Sequence, residues 1–283
     1  MDIIKDLKGN YMITGAAGLP GRYLHDILKS SAPQPELTLF HCAGTEEEDR
    51  AEELNTVATA RLLDSLGDDV PRRLVYVSSW QVYSPDAGEG VDETRPTFAR
   101  SEAGRSKART ELLLEKWAAA RGVVLTVVRP ALMFGTGIDG CMKRLFDRVV
   151  AGRYVHIRGN DARISAVTAF DVARAMVRLA GTPGIFNISD GRSHTWLSLA
   201  EAMSANAGAV KRMPHLPPRW ASVAYRWFGS VPWVADALGP DSLEPVSRTL
   251  VLDNSRVRQA TGIEFHDTIE VIARRSKDYP YEN

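Results

Sequence analysis

The sequence predicts an α/β protein built on a doubly wound parallel sheet. Near the N-terminus a short apolar run, Tyr11–Thr14, leads through a glycine-rich turn into a helix that starts at Arg22. Further buried-strand patterns then alternate with amphipathic helices as far as Arg129. Strands separated by helices are typical of parallel sheets, because each connection between parallel strands has to cross one face of the sheet.

The first half of the chain contains these elements in a regular order. Proline and serine residues in the segment 30–35 break the first helix, and the apolar run at 37–44 predicts the next strand. The elements predicted after it are an amphipathic helix within 46–63, a strand at 74–79, a long helix at 101–121 and a strand at 123–129. Gly122 predicts the end of the long helix, since glycine commonly terminates helices in the left-handed conformation.

After Pro130 the pattern is less regular. The predicted elements are helices at 139–151, 170–180, 197–207 and 266–277, a strand at 184–189 and a Trp- and Pro-rich stretch at 214–240. We therefore expect a sheet-bearing core over 1–135 with 153–190. A smaller lobe is expected over 136–152 and 191–283.

The composition argues against several classes of function. The 35 basic and 35 acidic residues cancel, so no broad electric field attracts nucleic acid or an anionic membrane. The first residues lack the apolar core of a signal peptide, and no stretch is long and apolar enough to span a bilayer. Cys42 and Cys141 are too few for a disulfide framework, and the histidines lack metal-ligand spacing. We expect a cytoplasmic protein that holds no metal and acts on a small molecule.

The glycine turn is the first candidate binding feature. Gly15, Gly18 and Gly21 allow a tight turn, close approach of the backbone to a ligand and close packing of the following helix. They also direct the N-terminus of that helix towards any bound anion. The alternative to phosphate binding is a purely structural turn.

Ser79 and Lys107 are candidate catalytic residues. Ser79 follows the apolar strand at 74–79, and open α/β sheets bind ligands at the carboxyl ends of their strands. Its structural alternative is to cap the loop that follows. Lys107 ends the segment Ala103-Gly104-Arg105-Ser106-Lys107 on the long helix. A desolvated lysine in a cleft can act as a base or a nucleophile, whereas an exposed lysine extends into solvent.

Together these segments resemble the extended short-chain dehydrogenase/reductase superfamily of NAD-dependent epimerases and dehydratases. The resemblance covers nearly the whole chain. The segments that carry it are Thr14–Gly18 with Gly21, 40–44, Asn55 with Thr59, 74–83, Arg129-Pro130, 171–173, 186–189 and 253–256.

The resemblance implies a Rossmann-like nucleotide-binding core and a smaller substrate-binding lobe. It also implies a homodimer formed through two helices near 51–66 and 101–121. The cofactor contacts that it implies lie at six positions, namely Gly15, Ala17, Gly18, Gly21, Ala43 and Lys107.

The sequence departs from the family pattern in two places. The family carries a tyrosine four residues before the lysine, and that position is Ala103 here. In addition, the strand at 37–44 follows the first helix directly, so that a βαβ segment is missing. The missing segment includes the second strand, which normally carries the residue that recognises the adenosine ribose. We therefore expect a shortened sheet that binds NAD(P) weakly or not at all.

Three functions are compatible with this sequence. The first is an NAD(P)-dependent oxidoreductase or epimerase with a substituted proton donor, and another is a non-catalytic binding or regulatory protein. The third, which we favour, is an enzyme that performs isomerisation, elimination or cyclisation without the classical hydride transfer. Its predicted catalytic residues are Ser79, Lys107 and Glu102, which adjoins Ala103.

Overall fold

The structure is a computed structural model that describes residues 3–67, 69–138, 140–208, 213–228, 231 and 248–274. The strands are β1 (Ile3–Asp6), β2 (Tyr11–Thr14), β3 (Thr38–His41), β4 (Arg73–Val77), β5 (Gly88–Val91), β6 (Val124–Pro130), β7 (Leu132–Phe134), β8 (His156–Ile157), β9 (Arg163–Ile164), β10 (Ala166–Thr168), β11 (Gly184–Ile188), β12 (His194–Thr195), β13 (His215–Leu216) and β14 (Leu250–Leu252).

Helices connect most of these strands. They are α1 (Gly21–Lys29), α2 (Ala58–Ser65), α3 (Glu102–Arg121), α4 (Gly140–Val150), α5 (Ala169–Leu179), α6 (Trp196–Asn206), α7 (Pro218–Phe228), α8 (Ser255–Thr261) and α9 (Thr268–Ala273). A π-helical stretch, Glu52–Val57, precedes α2, and a 3-10 turn, Trp80–Val82, follows β4.

The main sheet confirms the predicted α/β fold. Its six strands lie in the order β1-β2-β3-β4-β6-β11. The five strands from β2 to β11 are mutually parallel, whereas β1 pairs antiparallel with β2. Strand β1, which the sequence did not predict, therefore forms the edge of the sheet. It lies beside β2, the strand that leads into the glycine turn.

Helices cover both faces of this sheet, as expected for a doubly wound fold. One face, with Tyr11, Ile13 and Phe40, packs against α1 and α5. The opposite face, with Met12 and Leu39, packs against α2 and α3. Because side chains alternate along a strand, these neighbouring residues of β2 and β3 contribute to both cores.

The crossovers also show the consequence of the missing segment. The β2–α1–β3 and β3–α2–β4 connections step in the same direction across the sheet but lie on opposite faces, so they have opposite hands. Right-handed crossovers strongly predominate, so one of the two departs from the rule. In the usual strand order the first helix leads to the other side of the first strand. Helix α1 packs on the same face of the sheet as that first helix, although the strand to which it would lead is absent between α1 and β3.

The second half of the chain adds a small sheet and further helices. Strands β12, β9, β14 and β5 form the small sheet, and α6 packs against α4 and α9.

The buried carboxylates of Asp171 and Asp190 accept hydrogen bonds from the His266 and Thr268 amides and so hold the start of α9. The tail helix predicted at 266–277 is observed from Thr268 to Ala273, and residues 275–277 of that prediction lie outside the described residues.

Most of the Trp- and Pro-rich stretch beyond α7 also lies outside the described residues. Within the part of the chain that the structure describes, no helix has both the length and the apolar character that crossing a bilayer requires.

Candidate functional site

A cavity of about 70 Å³ lies at the carboxyl ends of β3, β4 and β6. This is the edge at which open α/β sheets bind ligands, because the loops that follow parallel strands meet there. Its polar and ionisable lining includes Cys42, Thr45, Glu46, Ser78, Ser79, Lys107 and Cys141. The structure therefore brings Ser79 and Lys107, two of the predicted catalytic residues, into one cavity.

Lys107 is buried at this cavity with only 8% of its surface exposed. Its Nζ donates a hydrogen bond to the Val77 carbonyl oxygen at 2.9 Å and lies 5.2 Å from the centre of the Tyr76 ring. Burial lowers the pKa of Lys107 to about 8, although the negative charge of Glu46 opposes that shift. Close to neutral pH the lysine can thus hold or release a proton.

Local packing at the start of α3 positions this lysine. The Ser101 side chain caps the helix by accepting a hydrogen bond from the Gly104 amide at 3.0 Å. A side chain at Gly104 would overlap the carbonyl oxygen of Gln81, so glycine allows α3 to approach the 3-10 turn closely. At the other end, Gly122 ends the helix in the left-handed conformation with φ 65°, as predicted.

Ser79 caps a turn and also lines the cavity. Its side chain caps the 3-10 turn by accepting a hydrogen bond from the Gln81 amide at 3.2 Å. It also lines the cavity beside Lys107. Because Ser79 Oγ accepts that bond, its hydroxyl hydrogen is available to donate to a ligand oxygen. The neighbouring Ser78 instead donates to the Glu111 carboxylate.

The structure places Glu102 differently from the other two candidates. Its carboxylate forms ion pairs with Arg105 and Arg109 on the outer surface of α3. Hydrogen bonds from these arginines lower the pKa of Glu102, which favours its ionised form. Glu102 is thus held by arginines instead of facing Lys107. Ala103 itself is buried, with 2% of its surface exposed.

A buried ionic network lies directly behind the cavity. Arg129 pairs with the Glu111 carboxylate at 2.5 Å and donates to the Tyr83 hydroxyl at 2.8 Å. Tyr83 in turn donates to the Asn187 side chain at 2.9 Å. The tyrosine is 1% exposed and packs in the interior. The sequence did not reveal the Glu111–Arg129 pair, since the partners belong to different elements.

The glycine turn has the close contacts that its composition predicts. Gly15 has φ 70°, and a Cβ at that position would lie 2.6 Å from the Ala43 nitrogen. A Cβ at Gly21 would overlap the Gly15 carbonyl oxygen. Gly18 completes the turn by donating from its amide to the Gly15 carbonyl at 3.2 Å. The Ala17 carbonyl accepts a hydrogen bond from Arg22 at 2.7 Å.

The glycine turn and the adjacent sheet edge differ in how well they fit NAD(P). The turn leads into the N-terminus of α1, which carries no side-chain cap, and this arrangement suits a phosphate group. In the continuously described segment 30–37, however, no strand separates α1 from β3. The edge beside β2 is formed by antiparallel β1 instead of the parallel strand that recognises the ribose. The residues present fit the phosphates of NAD(P) but not its adenosine half.

Among the residues that the structure describes, no group of three or more His, Cys, Asp or Glu side chains is arranged to hold a metal ion.

Residues 38–189 match the model of the NAD dependent epimerase/dehydratase family. The match covers more than half of the chain, which therefore belongs to this family of the extended short-chain dehydrogenase/reductase superfamily. The epimerase/dehydratase class predicted from the sequence is thus confirmed.

Two curated relatives are similar to the chain. An uncharacterized protein, y4nG of Sinorhizobium fredii, is 25% identical over 199 residues, which are 67% of this chain and 48% of the relative. The chain thus spans about half the length of that relative. A probable dTDP-4,6-dihydroxy-2-methyloxan-3-one 4-ketoreductase of Streptomyces antibioticus is 26% identical over 78% of this chain and 88% of its own.

Among solved structures, the UDP-glucose 4-epimerase of Thermotoga maritima with UDP-glucose superposes with a TM-score of 0.70. It is 21% identical and covers 92% of this chain and 95% of its own. At this identity the similarity establishes the fold.

Proposed function

We propose that the protein is an enzyme that uses acid/base chemistry to isomerise, or to eliminate a group from, a small carbonyl compound without bound NAD(P). The observation that carries the proposal is the contrast between the two ends of the binding groove. Lys107 and Ser79 line one cavity, whereas the edge that would bind adenosine is formed by antiparallel β1.

The geometry supports specific roles for both residues. The Ser79 hydroxyl and the Lys107 ammonium group can hydrogen-bond to one substrate carbonyl oxygen. When a proton leaves the neighbouring carbon, negative charge develops on that oxygen, and a buried ammonium group stabilises it strongly because the surroundings are poorly polarisable. A buried lysine with a pKa of about 8 is still mostly protonated at pH 7 and can act in this way.

A second candidate function is the NAD(P)-dependent oxidoreductase or epimerase activity of the family. It is favoured by the preserved glycine turn and by Lys107, which in the family binds the nicotinamide ribose. If NAD(P) bound, it would supply hydride transfer, and the glycine turn would hold its phosphates. Ala103 provides no phenol, so that activity requires another proton donor.

The third possibility is a binding or regulatory protein on the same fold. The small volume of the cavity, about 70 Å³, is compatible with it. A homodimer remains an expectation taken from the family, in which α3 and the helical segment before it would form the interface.

The proposed function is tested by proton exchange without cofactor. Protein freed of nucleotide is incubated in D2O with hydroxyacetone, and loss of the proton signals next to the carbonyl is followed by NMR. We expect exchange by the wild-type protein and a loss of roughly 100-fold or more in Lys107→Met. Lys116→Met, on the exposed side of the same helix, is the matched control and is expected to retain exchange.

A further inference from the structure

The cavity lining also contains a carboxylate, that of Glu46. Among the described lining residues, the side chains that can gain or lose a proton are Cys42, Glu46, Lys107 and Cys141. Burial raises the pKa of Cys42 to about 12 and that of Cys141 to about 11, so both thiols stay neutral at physiological pH. Of these four residues, Glu46 and Lys107 remain as proton carriers.

Contacts from the opposite side of the cleft hold the Glu46 side chain. Glu46 lies in the loop after β3, and its Oε2 accepts a hydrogen bond from the Cys141 amide at 3.3 Å, at the start of α4. Gly140 has φ 55°, and a Cβ there would overlap the Glu46 carboxylate. Glycine at this position therefore allows the carboxylate to reach the helix. The contact joins the core of the sheet to the helix that follows β7.

The negative charge of Glu46 acts on Lys107. Of the two carboxylates whose negative charge favours the protonated lysine, Glu46 has a larger effect on the pKa of Lys107 than Glu111. Glu111 also favours the protonated lysine, but it is outside the cavity lining and accepts hydrogen bonds from Arg129 and Ser78. Glu46 lines the same cavity as Lys107.

We propose that Glu46 is the catalytic base and acid of this cavity, and that the substrate is a small compound with a C–H bond next to a carbonyl group. This inference rests on the proposed function. The carboxylate does the work of the phenol missing at position 103.

The proposed step is balanced without a co-reactant. The Glu46 carboxylate takes the proton from the carbon, and the electrons of the C–H bond move to the carbonyl oxygen to form an enolate. Ser79 and the Lys107 ammonium group donate hydrogen bonds to that oxygen. The proton then returns from Glu46 to the same carbon. Where that carbon carries a hydroxyl group, the intermediate is an enediolate, and after a proton has moved between its two oxygens Glu46 can instead return the proton to the neighbouring carbon.

The first test needs no substrate. The pKa of Lys107 is measured from the pH dependence of its labelling by acetic anhydride, followed by peptide mass spectrometry. Glu46→Gln removes the negative charge but keeps an oxygen that can accept from the Cys141 amide, so we expect the pKa of Lys107 to fall. Glu47→Gln is the matched control, because Glu47 pairs with Arg50 on the surface, and it is expected to leave this pKa unchanged.

An unchanged or higher pKa of Lys107 in Glu46→Gln would place the carboxylate away from the lysine and overturn the proposal. Circular dichroism and thermal unfolding of each variant verify that it is folded. The comparison therefore reports on the cavity and not on general loss of structure.

The second test applies the hydroxyacetone exchange to the same variants. We expect Glu46→Gln to lose roughly 100-fold or more of the exchange rate, as for loss of a general base, and Glu47→Gln to retain it. Exchange that disappears in Lys107→Met but persists in Glu46→Gln would overturn the role of Glu46 and leave the proposed function standing. No exchange by the wild-type protein would overturn both.

Discussion

Two buried cations lie close to the same cavity, and they differ in what surrounds them. Arg129 is 3% exposed and is paired with a carboxylate and a phenol. Lys107 is 8% exposed and donates to a backbone carbonyl. Burial opposes both charges, but the contacts of Arg129 with Glu111 raise its pKa on balance, whereas the pKa of Lys107 falls to about 8.

Because of this difference, the charge of Arg129 has a structural role, whereas the Lys107 amine can take part in a reaction. A buried ion pair is fixed because removing one partner leaves an uncompensated charge. A buried lysine held mainly by a carbonyl oxygen can change its protonation state or transfer its hydrogen bond to a ligand. We therefore expect substitutions in the Arg129 ion pair to lower the free energy of unfolding, and substitutions of Lys107 to lower the catalytic activity.

The largest effect is expected from breaking the structural pair. Glu111→Gln leaves the Arg129 charge without a carboxylate, so we expect a loss of about 3–5 kcal/mol in the free energy of unfolding. Urea denaturation at pH 7 measures it. The double variant Glu111→Leu with Arg129→Met removes both charges and is expected to be less destabilised. A single variant as stable as the wild type would show that the pair is not structural.

The next prediction concerns the dependence of stability on pH. The pKa of Lys107 falls from 10.5 in the unfolded chain to about 8 in the folded protein. Between these values the unfolded chain binds a proton that the folded protein has released, so the free energy of unfolding rises with pH, by up to about 3 kcal/mol.

Lys107→Met lacks this contribution. The stability of the wild type relative to Lys107→Met should therefore increase between pH 8 and pH 10.5, as measured by urea denaturation at each pH. A constant difference between the two proteins would mean that Lys107 keeps its ordinary pKa.

A smaller loss of stability is expected when Gly44 is substituted. A Cβ at this position would lie 2.5 Å from Lys107 Nζ and 2.8 Å from Asn55 Oδ1. Gly44→Ala therefore displaces the ammonium group and is expected to cost about 1–3 kcal/mol through overpacking. At Gly18 a Cβ would lie 3.7 Å from the Gly15 carbonyl oxygen, which is an ordinary van der Waals contact, so Gly18→Ala is the milder control in thermal unfolding. Equal losses in both variants would contradict the crowding at Gly44.

The smallest effect is expected from restoring the family phenol. Ala103→Tyr is predicted to produce no robust NAD(P)-dependent dehydrogenase activity, because the adenosine side of the groove is missing as well. Formation of NADH or NADPH, followed at 340 nm with a panel of small alcohols, measures it. Strong turnover would show that the cofactor groove still works.

The sequence was sufficient for the local features of the fold. The glycine turn, the start of α3 near Ser101 and its end at Gly122 depend on neighbouring residues and were predicted. The location of Ser79 and Lys107 at one cavity could also be predicted, because the order of the strands determines which loops lie side by side.

Long-range contacts could not be predicted in the same way. Glu46 begins an acidic run that looks like a solvated surface, and its contact at Cys141 lies 95 residues further along the chain. The pairing of β1 with the sheet edge was missed because its exposed and half-buried residues give a weak strand signal.

Position 103 carries alanine instead of the family phenol, and no ribose-recognising strand lies between α1 and β3 in the described segment 30–37. We therefore propose that the cleft works without NAD(P). Isothermal titration calorimetry with NAD+, NADH, NADP+ and NADPH tests it most directly. We expect no binding at nucleotide concentrations up to about 1 mM, which corresponds to a binding free energy of about −4 kcal/mol or weaker. Micromolar binding of any of the four nucleotides would contradict it.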